Sequence, residues 1–266
     1  MDKITTIVGK EWSEVFKNKL VLFSVLFLPL ILAVIPLVML FAFRQAGADA
    51  ALAAELNDPE IAALAGEMCV GLSMADCTLV YTLNLFVLMF MILPVAIPVT
   101  IAAYSIVGEK TTRSLEPLLA TPITTTELLT AKIVAAVVPA IVATWLAFAI
   151  FLVGARLLAP AAVFAAFFAV HWLLAILIVA PLLTLLAACV AVIVSSRVSD
   201  PRVAEQLSSV VILPLILLVI GQAVGLILID RQMMLWLAVV VLLADVVLIY
   251  LAVRLFQRET ILTRWK

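Results

Sequence analysis

The residues best suited to chemistry lie in a charged stretch, GEKTTR at 108–113, whose glycine and lysine are typical of nucleotide phosphate sites. A phosphate-binding loop needs the pattern G-x-x-x-x-G-K-[ST], because its backbone N–H groups surround the phosphates before the lysine reaches them. The stretch fails in both registers: Glu109 follows Gly108 where lysine is needed, and a register on Lys110 places Glu109 and Tyr104 at the glycine positions. H-E-x-x-H and G-x-S-x-G do not occur either, so the sequence predicts no ATP site of this kind, no catalytic residue and no metal site.

Two polar residues inside apolar stretches, Gln222 and Asp245, are candidates for a substrate path. An aspartate near the middle of a membrane helix costs about 2.5–3.5 kcal/mol to insert, so Asp245 should face protein or water. A helix-to-helix hydrogen bond, or a protonated carboxyl packed in the bundle, is the alternative for Asp245. Gln222 lies between Gly221 and Gly225, a G-x-x-x-G pattern that indicates close helix packing or arises by chance in an apolar span.

Membrane helices must position these residues. Of the 266 residues, 67% are hydrophobic and 12% are charged, and the mean hydropathy is +1.34, whereas soluble domains are usually about 25% charged. Runs of about 20 apolar residues cross roughly 30 Å of hydrocarbon. Six such runs predict an all-α integral membrane protein, with spans at 20–43, 79–107, 128–155, 161–194, 209–229 and 233–254 of a transmembrane domain covering 20–266.

The orientation follows from lysine and arginine. With both termini inside, only Arg44, Arg156 and Arg231 lie outside, which leaves thirteen of the sixteen basic residues in cytoplasmic segments. The positive-inside rule therefore predicts that both termini lie in the cytoplasm. The localisation expected for this multi-pass chain is the plasma or inner membrane. No basic patch indicates a nucleic-acid partner. In the predicted outer loop 44–78, Cys69 and Cys77 could form a disulfide or remain two free thiols.

Residues 1–19 precede the first span and show an amphipathic pattern. Apolar residues recur at helical spacing, and charged residues occupy the other side. The apolar set is Ile4, Ile7, Val8, Trp12, Val15 and Phe16, and the charged set is Lys3, Lys10, Glu11, Glu14 and Lys17. The pattern predicts a helix lying in the inner membrane interface, with a frayed tail as the alternative.

The longest predicted cytoplasmic connection, residues 108–127, joins spans two and three. Its TTTE at 124–127 is a capping box, which predicts that the third helix begins before the membrane. Pro117 and Pro122 predict a short helix in RSLEPLLAT that ends at the second proline. The predicted element is a short helix, a break and the start of the third helix. It could bind a partner protein, or it could be a surface loop that packs on its own helix bundle.

The sequence of this loop has the pattern E-K-x-x-x-S-L-E-P-L-L-A-T-P-I, followed by E-L-L-x-A-K. It resembles that of the type-2 ABC exporter permeases, in the branch that includes sodium- and drug-export permeases. The matching residues are Glu109, Lys110, Leu115, Glu116, Leu118, Leu119, Thr121, Pro122 and Lys132, with Ser114 in place of threonine. The chain departs from the pattern at Arg113 and Ala131, where the family usually has glycine. The N-terminal K-E-W, the six spans and the cytoplasmic termini fit the same family.

The resemblance implies a non-catalytic permease subunit of an ATP-driven exporter. Two permease chains, expected as a homodimer in membrane lipid, would form the path, and two separate ATPase subunits would bind ATP and Mg²⁺. A coupling helix within 108–127 would dock on the ATPase. The implied coupling residues are Glu109, Lys110, Arg113, Ser114, Leu115, Glu116, Leu118, Leu119, Thr121 and Pro122. From the residues alone, an ATP-independent channel or secondary carrier and a membrane anchor of an ATPase complex remain open.

Overall fold

The computed structural model describes residues 2–46, 72–111, 123–168, 170–227 and 229–255, and all regular secondary structure in these ranges is helical. The α-helices are α1 (Asp2–Val15), α2 (Lys19–Ala46), α3 (Met74–Phe90), α4 (Leu93–Thr111), α5 (Thr125–Leu158), α6 (Ala161–Phe167), α7 (Val170–Leu174), α8 (Ala180–Ser195), α9 (Pro201–Ser208), α10 (Leu213–Ala223) and α11 (Arg231–Leu255). A π-helical segment, Ala175–Val179, joins α7 to α8, and a 3-10 segment, Ser209–Ile212, joins α9 to α10.

In the described part of the chain, six helical stretches are long and apolar enough to cross a membrane. They are Val21–Phe43, Asp76–Glu109, Thr125–Leu158, His171–Ser195, Pro201–Ala223 and Arg231–Leu255. The second, fourth and fifth crossings are assembled from consecutive shorter helices. The predicted all-α fold with six transmembrane helices is confirmed.

Prolines explain the irregular points in the second and fourth crossings. Between α3 and α4, the N–H groups of Met91 and Ile92 bond to carbonyls three residues earlier, each at 3.0 Å. Pro94 follows this tight turn, and a proline has no N–H and would clash with the carbonyl four residues before it in a regular helix. The π-helical segment ends at Val179, two residues before Pro181, and the carbonyl of Ile176 within it accepts a bond from Trp145 Nε1 at 3.0 Å.

The second crossing lies at the centre of the molecule. Of its most apolar stretch, 72% is buried, against 17% for the fifth crossing and 22% for the sixth. Its second half, α4, packs mainly on α5 and α8. Phe90, Phe148 and Phe151 form an aromatic cluster there, with ring centroids 5.4 to 6.2 Å apart. Spans two and four are therefore the most buried, and the fifth and sixth spans lie at the periphery.

Gly221 and Gly225 do not form a helix-packing face, so that interpretation of the G-x-x-x-G pattern is wrong. Gly225 lies beyond the end of α10 with φ 78°, a left-handed conformation that favours glycine. A Cβ at Gly221 would come within 2.7 Å of Ile227 Cδ1, because the chain turns back over the helix end. The turn that ends the fifth crossing therefore favours glycine at 225 by its backbone conformation, and a side chain at 221 would require Ile227 to move.

Candidate functional site

A buried group of charges lies where α1, α4 and α5 meet. We call Lys10, Glu11, Ser105, Glu109 and Lys132 the loop-base cluster, because Glu109 and Lys132 lie on the two helices that enter and leave the 112–122 segment. Lys132 Nζ is 2.9 Å from Glu11 Oε1 and 2.8 Å from Glu109 Oε2. It also donates to Ser105 Oγ at 2.9 Å. One lysine on α5 thus contacts both neighbouring helices.

The remaining contacts close the cluster. Ser105 donates its hydroxyl proton to Glu11 Oε2, and Lys10 Nζ lies 3.1 Å from Glu109 Oε1. Two lysines and two glutamates give the cluster no net charge. Burial by itself would lower the pKa of Lys10, but the bond to Glu109 and the nearby carboxylates outweigh it and raise that pKa above its usual value. Lys10 therefore remains charged at neutral pH.

The carboxylates and the lysine on α5 are almost completely removed from solvent. Glu11 is 1% exposed, Glu109 4% and Lys132 3%. Buried charges are tolerated when they are paired and bonded, and removing one partner leaves an uncompensated charge that typically costs 3–5 kcal/mol. These contacts hold the three helices together at this end of the bundle. Removal of any one of the charged side chains is expected to lower the free energy of unfolding, because its partner would stay buried without a counter-charge.

Apolar contacts hold α1 against α5. Ile7 and Val8 pack on Leu128, Ala131 and Ala135 in a small apolar core of their own. Ala131, which stands where the resembled pattern has glycine, is fully buried in this contact. A small residue at this position lets α1 approach the backbone of α5 closely.

Trp12 adds a polar contact to the same interface. Its indole Nε1 donates to the backbone carbonyl of Ala135 at 3.0 Å. The amphipathic helix is therefore bound to the bundle through both apolar and polar contacts. The expectation that Glu11 lies on the charged outer side of α1 is wrong, because Glu11 turns inward to Lys132.

The start of α5 is fixed by the capping box expected from TTTE, and this prediction is confirmed. Glu127 N–H donates to Thr124 Oγ1 at 3.2 Å, and Thr124 N–H donates to Glu127 Oε2 at 2.8 Å. The box satisfies helix N–H groups that would otherwise lack partners. It also fixes the register of α5, so that Lys132 lies about two turns inside the helix and points to α1 and α4.

Most predicted coupling residues lie outside the described residues. These are Arg113, Ser114, Leu115, Glu116, Leu118, Leu119, Thr121 and Pro122. The backbone of Lys110 continues α4, and its side chain is not described. Glu109 is described, and it faces Lys132 and Lys10 inside the protein.

The sequence did not predict that Glu11, Ser105 and Lys10 would lie in the same cluster as Glu109. Lys132 was the feature that could have indicated the cluster. A lysine within an apolar helix is expected to pair with an acidic side chain on a neighbouring helix.

The two polar candidates for a substrate path lie at different interfaces. Asp245 on α11 is 1% exposed and lies close to Cys189 of α8, and neither carboxyl oxygen has a hydrogen-bond partner among the described residues. Gln222 at the end of α10 is 4% exposed, and Tyr81 of α3 donates to its backbone carbonyl at 2.8 Å. The structure therefore does not bring Gln222 and Asp245 into one site.

Cysteine and metal chemistry add little to the site. Cys77 is buried and disulfide-bonded, and Cys189 is a buried free thiol. Cys69 lies outside the described residues, so its pairing with Cys77 stays a prediction. Within the described ranges, no group of three or more histidine, cysteine, aspartate or glutamate side chains could hold a metal ion.

Comparison with known proteins identifies the family. A family model described as ABC-2 family transporter protein matches residues 5–253. A search among curated proteins gave no match. The matched region covers the first five crossings, all but the last two residues of the sixth, and most of α1, whose contacts with α4 and α5 form the loop-base cluster. The chain therefore belongs to the ABC-2 family of transporter proteins, as a multi-pass permease subunit.

Proposed function

We propose that this chain is the permease subunit of an ATP-binding cassette exporter and works as a homodimer. Two separate nucleotide-binding subunits would dock on the 108–127 loop, bind ATP and Mg²⁺, and supply the energy. The termini and this loop would lie in the cytoplasm, in a plasma or inner membrane. The single observation that supports the coupling role is the ion pair between Glu109 and Lys132, which joins the two helices at the base of the loop at 2.8 Å.

This ion pair makes the loop a suitable point of mechanical input. If no contact joined the end of α4 to the start of α5, a force on the loop would only move these two helix ends relative to each other. Here the ends are tied by buried charges, so α4 and α5 are expected to move together. Because Glu11 is tied to the same lysine, α1 would follow them.

The movement would reach the centre of the bundle. The helix α4 belongs to the most buried crossing and packs on α8 as well as α5. A second polar contact, from Thr100 Oγ1 of α4 to Glu205 Oε1 of α9 at 2.7 Å, connects it to the start of the fifth crossing. Displacement of the loop would therefore shift helices of spans two to five without any catalytic residue in this chain.

Co-purification tests the partner. The tagged chain is extracted from its native membranes in mild detergent, and ATPase activity is measured in the eluate. We expect ATPase activity with the wild-type chain and its loss with Glu116→Arg, whose charge is reversed in the proposed docking helix. Glu60→Arg, in the predicted outer loop, is the matched control and should retain the activity. Wild-type eluate without ATPase activity, or full retention by Glu116→Arg, would contradict the proposal.

Transport by reconstituted vesicles tests the direction and the branch of the family. Inside-out vesicles that contain the complex are supplied with ATP, and uptake of ²²Na⁺ is compared with uptake of a fluorescent hydrophobic cation. Accumulation of either probe only with ATP supports export, and the accumulated probe identifies the branch. Uptake without ATP would indicate a channel or secondary carrier. ATPase binding without uptake of any tested probe would favour a membrane anchor.

A further inference from the structure

A groove between α2 and α5 does not take part in the loop-base cluster or in the proposed coupling. Its cavity has a volume of about 360 Å³ and is lined by eleven residues, all of them apolar. Pro29 and Leu30 contribute from α2, and Pro139, Ala143 and Leu146 contribute from α5. The volume lies within the range of ordinary ligand sites, and the apolar lining selects a hydrocarbon ligand.

A close contact between α2 and α5 limits the groove at one end. The helices α2 and α5 run parallel, and they meet closely at Leu37 and Gly154, where a Cβ on the glycine would come within 2.5 Å of the leucine side chain. Towards the predicted cytoplasmic side, the groove begins at Phe16, which lies between the end of α1 at Val15 and the start of α2 at Lys19. The slot between α2 and α5 therefore ends near the contact of Leu37 with Gly154.

The length of the slot corresponds to one leaflet of a bilayer. Along α5 its lining runs from Pro139 to Ile150, which at about 1.5 Å per residue is about 17 Å. Half of a hydrocarbon core of about 30 Å is about 15 Å. A single acyl chain of the inner leaflet would therefore extend from the mouth of the slot to its closed end.

Two lysines lie at the mouth. Lys17 follows Phe16 and Lys19 begins α2, and both side chains are exposed. Spacings of seven and eleven residues place Lys19 on the same face of α2 as Leu26 and Leu30, which line the slot. Basic residues next to a membrane helix attract anionic headgroups. The two lysines at the mouth can therefore bind a lipid phosphate, and the apolar slot can bind the acyl chain of the same lipid.

We propose that this groove is a binding site for an anionic phospholipid of the inner leaflet. One acyl chain fills the slot between α2 and α5, and the headgroup phosphate lies between Lys17 and Lys19. The site is independent of the ATPase partner. Because α2 directly follows α1, a bound lipid would also fix the angle at which the first crossing leaves the interfacial helix.

Native mass spectrometry of the full chain tests the proposal. The protein is released from nanodiscs that contain equal amounts of phosphatidylglycerol and phosphatidylcholine, and the retained lipids are counted. We expect one phosphatidylglycerol per chain. In Lys17→Gln/Lys19→Gln we expect its retention to fall about tenfold or more, because the attraction to the headgroup is lost. Arg197→Gln/Arg202→Gln, two exposed arginines of the same predicted side, is the matched control and should retain the lipid.

A second pair of variants tests the slot without relying on charge. Leu146→Trp fills it, and Leu157→Trp places the same side chain on an exposed part of α5 outside the groove. Both positions are exposed, at 59% and 72%, so both variants should fold. We expect Leu146→Trp alone to lose phosphatidylglycerol. Equal retention of the two lipids by the wild type, or unchanged retention in either Leu146→Trp or the double lysine variant, would overturn the proposal.

Discussion

Lys132 Nζ lies 2.8 Å from Glu109 Oε2, and this buried ion pair joins the two helices between which the 112–122 segment runs. The same amino group is 2.9 Å from Glu11 of the N-terminal helix. Three elements that are far apart in the sequence therefore share one lysine. The base of the proposed coupling loop is therefore held by one buried amino group that contacts both α1 and α4.

Replacing Lys132 by methionine should destabilise the protein strongly. Glu11 and Glu109 would remain buried without their shared partner, which typically costs about 3–5 kcal/mol. Thermal unfolding in detergent measures the loss, and Arg202→Met, at an exposed arginine outside both the cluster and the groove, is the control. The triple variant Glu11→Gln/Glu109→Gln/Lys132→Met removes all three charges and should recover most of the stability. Equal melting temperatures for Lys132→Met and Arg202→Met would show that the cluster contributes nothing.

Glu11→Gln should loosen α1 while leaving the bundle folded. Loss of a bond to a charged partner costs about 1.5–3 kcal/mol, so amide hydrogen exchange in α1 should accelerate about ten- to a hundredfold. Glu14→Gln is the matched control, because Glu14 is exposed and its nearest cation, Lys10, is 3.6 Å away. Exchange measured by mass spectrometry should change little in that variant. Similar exchange in both variants would mean that burial of Glu11 does not hold α1 in place.

Asp245→Leu should raise thermal stability but reduce ATP-dependent transport. In the described part of the chain neither oxygen of this buried carboxyl has a hydrogen-bond partner, and such a group costs about 1–3 kcal/mol. A residue that lowers stability inside a membrane helix is expected to serve function. Thermal unfolding and vesicle uptake are measured on the same preparation. Unchanged transport would assign Asp245 to packing, and a loss of stability would indicate that it bonds a group on α8.

Gly154→Ala should weaken the closed end of the groove. Its new Cβ would meet Leu37 at 2.5 Å, and overpacking of this kind costs about 1–3 kcal/mol, less if the leucine turns away. The double variant Leu37→Ala/Gly154→Ala should be more stable than the sum of the two single changes predicts. Gly9→Ala in α1 is the control, since no atom lies within 4 Å of its Cβ position. That control should gain up to about 1 kcal/mol from better helix propensity.

Local features of the sequence predicted much of the fold. The apolar runs specified six crossings because their length matches the bilayer, and TTTE specified the start of α5 because both halves of a capping box lie within four residues. The turn at Gly225 was not predicted. The G-x-x-x-G sequence is the same whether both glycines lie within a helix or the second lies in the turn after it. The burial of Glu11 was missed for a related reason: helical periodicity separates apolar from charged faces, and a charge that is paired by tertiary contact breaks that rule.

The sequence by itself determined the membrane environment, the helical crossings, their predicted orientation and the resemblance of the loop to a permease family, because each depends on composition or on residues that are close together in the chain. Only the tertiary structure decided that Lys132 pairs with both Glu11 and Glu109, that Asp245 and Gln222 lie at separate interfaces, and that α2 and α5 separate into a groove. The bond between Lys132 and Glu11, for example, joins residues 121 positions apart. The pairing of such distant residues depends on how whole helices pack, which local patterns do not specify.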